Sequence, residues 1–292
     1  MSVSESARDS GIQAPAFDVG ALPAVRASLR HVVYTGEKPA IFIVPPGEGE
    51  SRRAAEYADR DVDIHDARTV ADRLTLDREG LAFLHHDTKV TDFYDETQIA
   101  EIYYPEIAEL LKRVEGAEEV VVFDHTRRAD GLDSADKGVR PPVRSVHNDY
   151  TEKSGPQRVR DLLTPQEAET WLSGRRFAFI NVWRPINGTV ETAPLAVADA
   201  TSVPYEDFIA ADLVYTDRTG EIFDVAYRPE HRWYYISGQR QDEVMLLKCY
   251  DSLRDGTARF TAHTAFDDPT SPPGAKPRES IEIRTMVLYP ED

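Results

Sequence analysis

Read for the alternation of apolar and polar positions, the chain changes character near residue 177. Beyond that point nearly every apolar run is short, rich in Val, Ile, Phe and Tyr, and closed by turn residues such as Asp217-Arg218-Thr219-Gly220 or Arg254-Asp255-Gly256. These runs predict strands with cores at 177–183, 194–198, 212–215, 222–227, 232–236, 243–250, 258–263 and 280–289. Many short strands at this spacing imply a β-sandwich or barrel. The first half is more mixed. His31-Val32-Val33-Tyr34 and Ala40-Ile41-Phe42-Ile43-Val44 predict strands, the second closed by Pro45-Pro46-Gly47, whereas the charge-dense stretch from Gly47 to Asp77 shows no clear period. Leu74-Thr75-Leu76 and Leu81-Ala82-Phe83-Leu84 flank Asp77-Arg78-Glu79-Gly80, a hairpin signal. Ile99, Ile102, Tyr103, Ile107, Leu110 and Leu111 fall at helical spacing between Asp95 and Val114, with Pro105 as a bend or a fresh start. Val120-Val121-Val122-Phe123 predicts a buried strand, and Thr126 to Pro142 a charged loop in the position of a lid. Thr164, Pro165 and Glu167 open a second helix, and Gly174 ends it. Residues 1–20 are small and polar, the composition of a mobile arm, and no boundary divides residues 21–292.

Composition removes several classes of partner. With 34 basic against 52 acidic residues the net charge is −18, which repels nucleic-acid phosphates and anionic membranes while leaving room for a local basic pocket. The 41% of hydrophobic and 29% of charged residues are those of a globular protein whose length supports a large core. No apolar run reaches the length of a membrane span, and no secretory signal opens the chain. One cysteine, Cys249, sits in the run Val244-Met245-Leu246-Leu247 and reads as a buried structural thiol. A cytoplasmic location follows from these features as an expectation.

The chemistry concentrates at Val146-His147-Asn148-Asp149. Residues two apart on an extended backbone project to one side, so His147 and Asp149 can grip one ion. One imidazole and one carboxylate are two members of the 2-His-1-carboxylate facial triad of non-haem Fe(II). His263, ending Arg259-Phe260-Thr261-Ala262, supplies the third. Eight histidines among 52 acids make a chance His-x-Asp ordinary, as at His85-His86-Asp87. The plain alternative is three hydrogen-bonding residues at strand ends, and the ligand types leave zinc and manganese open beside iron.

Downstream of His263, a turn-rich segment leads into Arg278-Glu279-Ser280-Ile281-Glu282-Ile283-Arg284. Arg-x-Ser opening the strand after the distal histidine resembles the co-substrate clamp of Fe(II)/2-oxoglutarate-dependent oxygenases. Phe123-Asp124-His125-Thr126, the His147 block, Asn181-Val182-Trp183-Arg184-Pro185, His231-Arg232-Trp233-Tyr234-Tyr235, Lys248-Cys249-Tyr250-Asp251-Ser252 and His263 to Pro269 together resemble the hydroxylase/desaturase family of fungal and bacterial secondary metabolism. That family includes the hydroxylase component of cephamycin 7-alpha-methoxylation, and the likeness runs from about Leu76 to Tyr289.

The resemblance implies a mainly β fold with flanking helices, a double-stranded β-helix or cupin-like jelly roll of eight core strands. It implies Fe(II) on His147, Asp149 and His263, with 2-oxoglutarate and O2 consumed to hydroxylate or desaturate a small molecule. Arg278 and Ser280 would hold the far carboxylate of 2-oxoglutarate, since a planar guanidinium recognises a carboxylate through two bonds. Arg284, of the same parity and deeper in the strand, is the competing clamp. Asn181, Trp183 and Arg184 at a strand mouth are candidates for the substrate pocket, with Trp183 and Arg184 on opposite faces, and Tyr104, Arg127 and Arg128 are further candidates. The reading kept against these is a cupin-type isomerase or a small-molecule binding protein without oxygenase activity.

Overall fold

The computed structural model describes residues 13, 15–44, 51–130 and 139–291. Pro45-Pro46-Gly47, most of the N-terminal arm and the centre of the Thr126–Pro142 segment lie outside the described residues. Two sheets face one another. The first is a five-stranded antiparallel sheet in the order β5 (Leu81–His85), β13 (Glu243–Asp251), β8 (Phe177–Pro185), β15 (Glu279–Leu288) and β6 (Glu119–Ala129). The second has ten strands, in the order β1 (Ala24–Val33), β4 (Glu56–Asp66), β12 (Trp233–Tyr235), β9 (Leu195–Ala198), β14 (His263–Ala265), β7 (His147–Asn148), β11 (Thr219–Val225), β10 (Phe208–Val214), β2 (Ala40–Phe42) and β3 (Arg52–Arg53). The double-stranded β-helix expected above is this pairing of the larger sheet with the smaller one.

Alternation along the strands decides what each face meets. On β8, Phe177, Phe179 and Trp183 enter the core between the sheets, with Met245, Leu247 and Met286 from the neighbouring strands. Ala178, Ile180 and Val182 point the other way and are covered by helix. That helix begins as α1 (Glu96–Gln98), passes through a π turn (Ile99–Tyr103) and continues as α2 (Tyr104–Glu115), with Pro105 in its first turn and Gly116 ending it at φ 66°. Pro105 thus marks a fresh start. Ile107 and Leu111 are fully buried, each burial stabilising by roughly 1.5–3 kcal/mol. Thr164 caps α4 (Pro165–Leu172) through a reciprocal bond with Glu167, as predicted, while the preceding α3 (Ser154–Leu162) had no clear sequence signal. No helix among the described residues is long and apolar enough to cross a membrane.

Four local expectations are corrected. The charge-dense stretch contains β4, eleven residues whose outward positions carry the acids while Val62 and Ile64 face in. The expected hairpin does not form: residues 68–73 are a 3-10 turn, and β5 pairs with β13 instead. The run 258–263 is largely extended loop, with strand β14 starting only at His263. Similarly, Thr126 to Ala129 belong to β6 rather than to a loop. Cys249 is buried, as its neighbours suggested.

Candidate metal centre

His147 and His263 are direct cross-strand partners on β7 and β14, which brings two imidazoles from distant parts of the chain side by side. Their ring centroids are 4.4 Å apart. Each ring is oriented by the same device: Nδ1 of His147 lies 2.9 Å from the Ser145 carbonyl, and Nδ1 of His263 lies 2.9 Å from that of Thr261. A carbonyl can only accept, so both Nδ1 atoms carry the proton and both Nε2 lone pairs are left for a metal. Asp149 follows β7, with Oδ1 3.7 Å from His147 Nε2. One ligand atom from each of the three side chains falls within 4.8 Å of the others.

The second layer holds that arrangement. Asn181 Nδ2 donates to Asp149 Oδ2 at 2.8 Å and Arg284 Nε approaches the same oxygen at 3.4 Å, so Oδ1 is left facing the imidazoles. Burial alone would raise the Asp149 pKa, but the Arg284 guanidinium outweighs it, with the histidines and the Asn181 amide, and holds the carboxyl well below its usual range. His147 is pushed down to about 3 by burial and by His263, and is therefore neutral and able to ligate. Asn148 supplies the cross-brace: its amide donates to the Tyr150 and Cys249 carbonyls and accepts from Thr261 N at 3.0 Å, tying the first ligand pair to the segment of the third. Thr261 in turn fills the space beside Gly80, where an added Cβ would meet its hydroxyl at 2.2 Å and where φ is +79°.

Around the triad lie Trp183, Leu195, Arg128, Arg278 and Glu282. Arg284 is saturated. Besides Asp149 it donates to Asp124 at 2.9 Å, Thr126 at 2.8 Å and Glu282 at 2.9 Å. Arg278 differs. Its guanidinium is buried, donates through Nη1 to the Ala193 carbonyl and stands 5.4 Å from the Trp183 ring centre. Its Nε has no partner, and no carboxylate among the described residues pairs with it. Burial, then the nearby Arg128, push its pKa down to about 9. Ser280 is buried at the start of β15, between Arg128 of β6 and Pro185 of β8.

Of the other sequence candidates, Trp183 reaches the cavity, and Asn181 reaches the Asp149 carboxylate. Arg184 does not: it points under the helix, bonded to the His86 and Gln241 carbonyls. Tyr104 bonds His125, and Arg127 bonds Glu96 and the Phe93 carbonyl, all on the helix-covered face of β6. Arg128, a candidate beside Arg127, does reach the cavity, whereas Glu282 was not singled out for the site. The period-two series Ser280, Glu282, Arg284 could have revealed Glu282. The choice between Arg127 and Arg128 rests on a bulge in β6: Val122 pairs with Thr285 and Asp124 with Arg284, leaving Phe123 extra. The bulge reverses parity, so that Asp124, Thr126 and Arg128 face inward. A larger cleft of about 220 Å³ lies beyond the loop leading into β9, lined by Glu191, Ser237 and Asp268, and contains none of these groups.

A protein-family profile described as an oxidoreductase/YMDC permease-like domain matches residues 29–288. The hydroxylase/desaturase CTB9 of Cercospora beticola is 35% identical over 256 residues, covering 80% of this chain and 78% of that protein. The Fe(II)/2-oxoglutarate-dependent dioxygenase nvfI of Aspergillus novofumigatus is 32% identical, over 87% of this chain and 92% of its own. The chain belongs to this family of Fe(II)/2-oxoglutarate-dependent dioxygenases. A solved structure, the iron and alpha-ketoglutarate-dependent endoperoxidase NvfI, superposes on the dioxygenase with a TM-score of 0.81 at 28% identity, covering 92% of this chain and 99% of that one. Jelly roll, iron, 2-oxoglutarate and O2 thus stand for this dioxygenase as the resemblance implied, and the isomerase and binding-protein alternatives fall away.

Proposed function

We propose that His147, Asp149 and His263 hold the Fe(II) of this dioxygenase, that Arg278 with Ser280 receives the far carboxylate of 2-oxoglutarate, and that the enzyme hydroxylates or desaturates a small secondary-metabolite substrate. The observation that carries the ligand assignment is the convergence of the two oriented Nε2 atoms and a free carboxylate oxygen. Two neutral imidazoles and one charged carboxylate are the donor set that suits Fe(II) while leaving one coordination face open. When bound, iron and 2-oxoglutarate supply the oxidising power, the co-substrate leaving as succinate and CO2.

The protein's part is placement. Asn181 and Arg284 keep Asp149 charged and turned to the metal through one oxygen. Arg278 offers a buried cation to which no carboxylate among the described residues is bonded, and a ligand carboxylate would supply that bond. Trp183, beside Arg278, walls the cavity and excludes water from the reacting face. The relatives' names cover hydroxylation, desaturation and endoperoxide formation. For this chain, hydroxylation or desaturation of a small molecule is the reading they support, and the lone buried Cys249 fits work in the reducing cytoplasm.

Calorimetric titration with Mn(II) as an air-stable probe, beside succinate release with Fe(II), tests the ligand set. Wild-type protein should take one equivalent of metal, and Asp149→Ala should lose both binding and succinate release. An Asp149→Ala protein that binds metal as tightly as wild type would show the ligands to be wrong.

A further inference from the structure

We infer that Ala193 is a positioning residue for Arg278, its left-handed backbone aiming the carbonyl that fixes the guanidinium. The inference rests on the reading of Arg278 as the 2-oxoglutarate clamp. Ala193, at φ +45°, is the single non-glycine residue with positive φ among the described residues. The left-handed region is costly for a residue with a Cβ, and residues before proline are restricted further, as Ala193 is by Pro194. Backbone held in such a state persists where its surroundings over-determine it, and such sites cluster where ligands are gripped.

The surroundings here converge on the clamp. The Ala193 carbonyl accepts from Arg278 Nη1 at 2.5 Å. Thr192, one residue earlier, accepts the Arg278 backbone N–H at 3.1 Å and donates to the Lys276 carbonyl at 3.0 Å. Glu191 accepts the Lys276 N–H at 3.0 Å, and Val190 N donates to the Gln239 carbonyl at 2.8 Å. Residues 190–193 therefore form a strap from the start of β13 to the mouth of β15. With Nη1 occupied by the strap and one flank of the guanidinium toward Trp183, the partnerless Nε edge is what remains for an anion. A relaxed Ala193 would turn its carbonyl elsewhere and release the guanidinium to rotate.

The test titrates 2-oxoglutarate into the Mn(II)-loaded full-length protein by calorimetry, with KM and kcat for succinate release measured in parallel. Ala193→Val introduces a β-branched side chain that the left-handed region disfavours, and should weaken 2-oxoglutarate binding about tenfold. Mn(II) affinity and kcat at saturating 2-oxoglutarate should stay at the wild-type level. Ala193→Gly, at home in that region, should bind 2-oxoglutarate like wild type. In an Arg278→Gln background, Ala193→Val should add nothing, because the group it positions is gone. Wild-type affinity in Ala193→Val, an equal loss of Mn(II) affinity, or full additivity with Arg278→Gln would overturn the inference. Should Ala193→Val fail to fold, Thr192→Val removes the strap's hydroxyl alone, and unchanged 2-oxoglutarate affinity there would overturn it as well. If Arg278→Gln itself leaves 2-oxoglutarate binding intact, the clamp reading fails and this inference with it. If only the Ala193 and Thr192 variants are silent, the clamp stands and the strap does not.

Discussion

Arg284 lies on β15 and Arg278 immediately before it, six residues apart, yet they sit in opposite electrostatic states. Arg284 meets three carboxylates, Asp149, Asp124 and Glu282, and its pKa is raised, chiefly by Glu282 and Asp149 against the cost of burial. Arg278 is at least as deeply buried and donates to a carbonyl rather than a carboxylate, and burial, then Arg128, push its pKa down. Burying a cation without an anion is costly, and a fold that keeps one in a cavity beside a metal centre leaves a place for a negative ligand. The same residue type is thus paired into the site at one position and left without a bonded carboxylate at the other. The comparison favours Arg278 over Arg284 as the clamp.

The largest effect that would break this contrast comes from Arg284→Met. It leaves Asp149 and Glu282 without their shared cation, and removing one partner of a buried charge pair costs about 3–5 kcal/mol. Asp124 is half exposed and adds little. The melting temperature of the metal-free protein should fall by roughly 10 °C, at about 2–4 °C per kcal/mol in a protein approaching this size. A melting temperature equal to wild type would mean that Arg284 is as dispensable as an unpaired arginine.

Arg278→Gln comes next and should do the reverse. Without ligand its melting temperature should match or exceed wild type, because an uncompensated cation has been removed. Its 2-oxoglutarate affinity should fall about a hundredfold, near 2.7 kcal/mol, and the thermal stabilisation by 2-oxoglutarate should disappear. The comparison is sharpened if the two substitutions separate in this way, one read in stability and the other in co-substrate binding. It breaks if Arg284→Met carries the co-substrate defect.

The chain displays the triad openly and conceals much of its setting. His147, Asp149 and His263 were legible because strand parity and the Arg-x-Ser downstream are local patterns. The capped helix at Thr164 and the strand series after Phe177 were legible for the same reason. Arg128 was a candidate beside Arg127, but which of the two faces the cavity was not legible, because one extra residue at Phe123 reverses the parity that a period-two reading assumes. Strand β4 was hidden by acids on its outer face, where pairing with β1 and β12 rather than hydrophobicity holds it extended. Tyr104 and Arg127 were candidates as well, but they lie on the helix-covered face of β6, and the sheet divides them from the site. The cross-brace through Asn148 depends on contacts with residues about a hundred positions away, which no local pattern encodes.

His31 extends the comparison to a group that can escape its predicament. Like Arg278 it is buried without an anion of its own: Nδ1 lies 3.3 Å from the Val225 carbonyl, Nε2 has no partner, and the neighbouring Asp207 is engaged by Arg228 and His231. An arginine must stay charged, but a histidine can give up its proton, and burial, with His231 and Arg60 nearby, pushes His31 from 6.5 down to about 4. Between those values the unfolded chain binds the proton that the folded one refuses. The contribution is therefore intact above pH 6.5 and is lost as the pH falls toward 4, at about 1 kcal/mol per pH unit where steepest. His86, pushed to about 4 by burial and Arg184, and His147 act in the same direction, so the slope of the wild-type curve belongs to several groups. The difference between wild type and His31→Gln isolates one of them. Urea denaturation of the metal-free proteins across pH 7 to 4 should give a shallower loss for His31→Gln, with the two curves converging toward the acid end. Parallel curves would mean that His31 keeps its proton in the fold, and that burial without an anion is tolerated there as it is at Arg278.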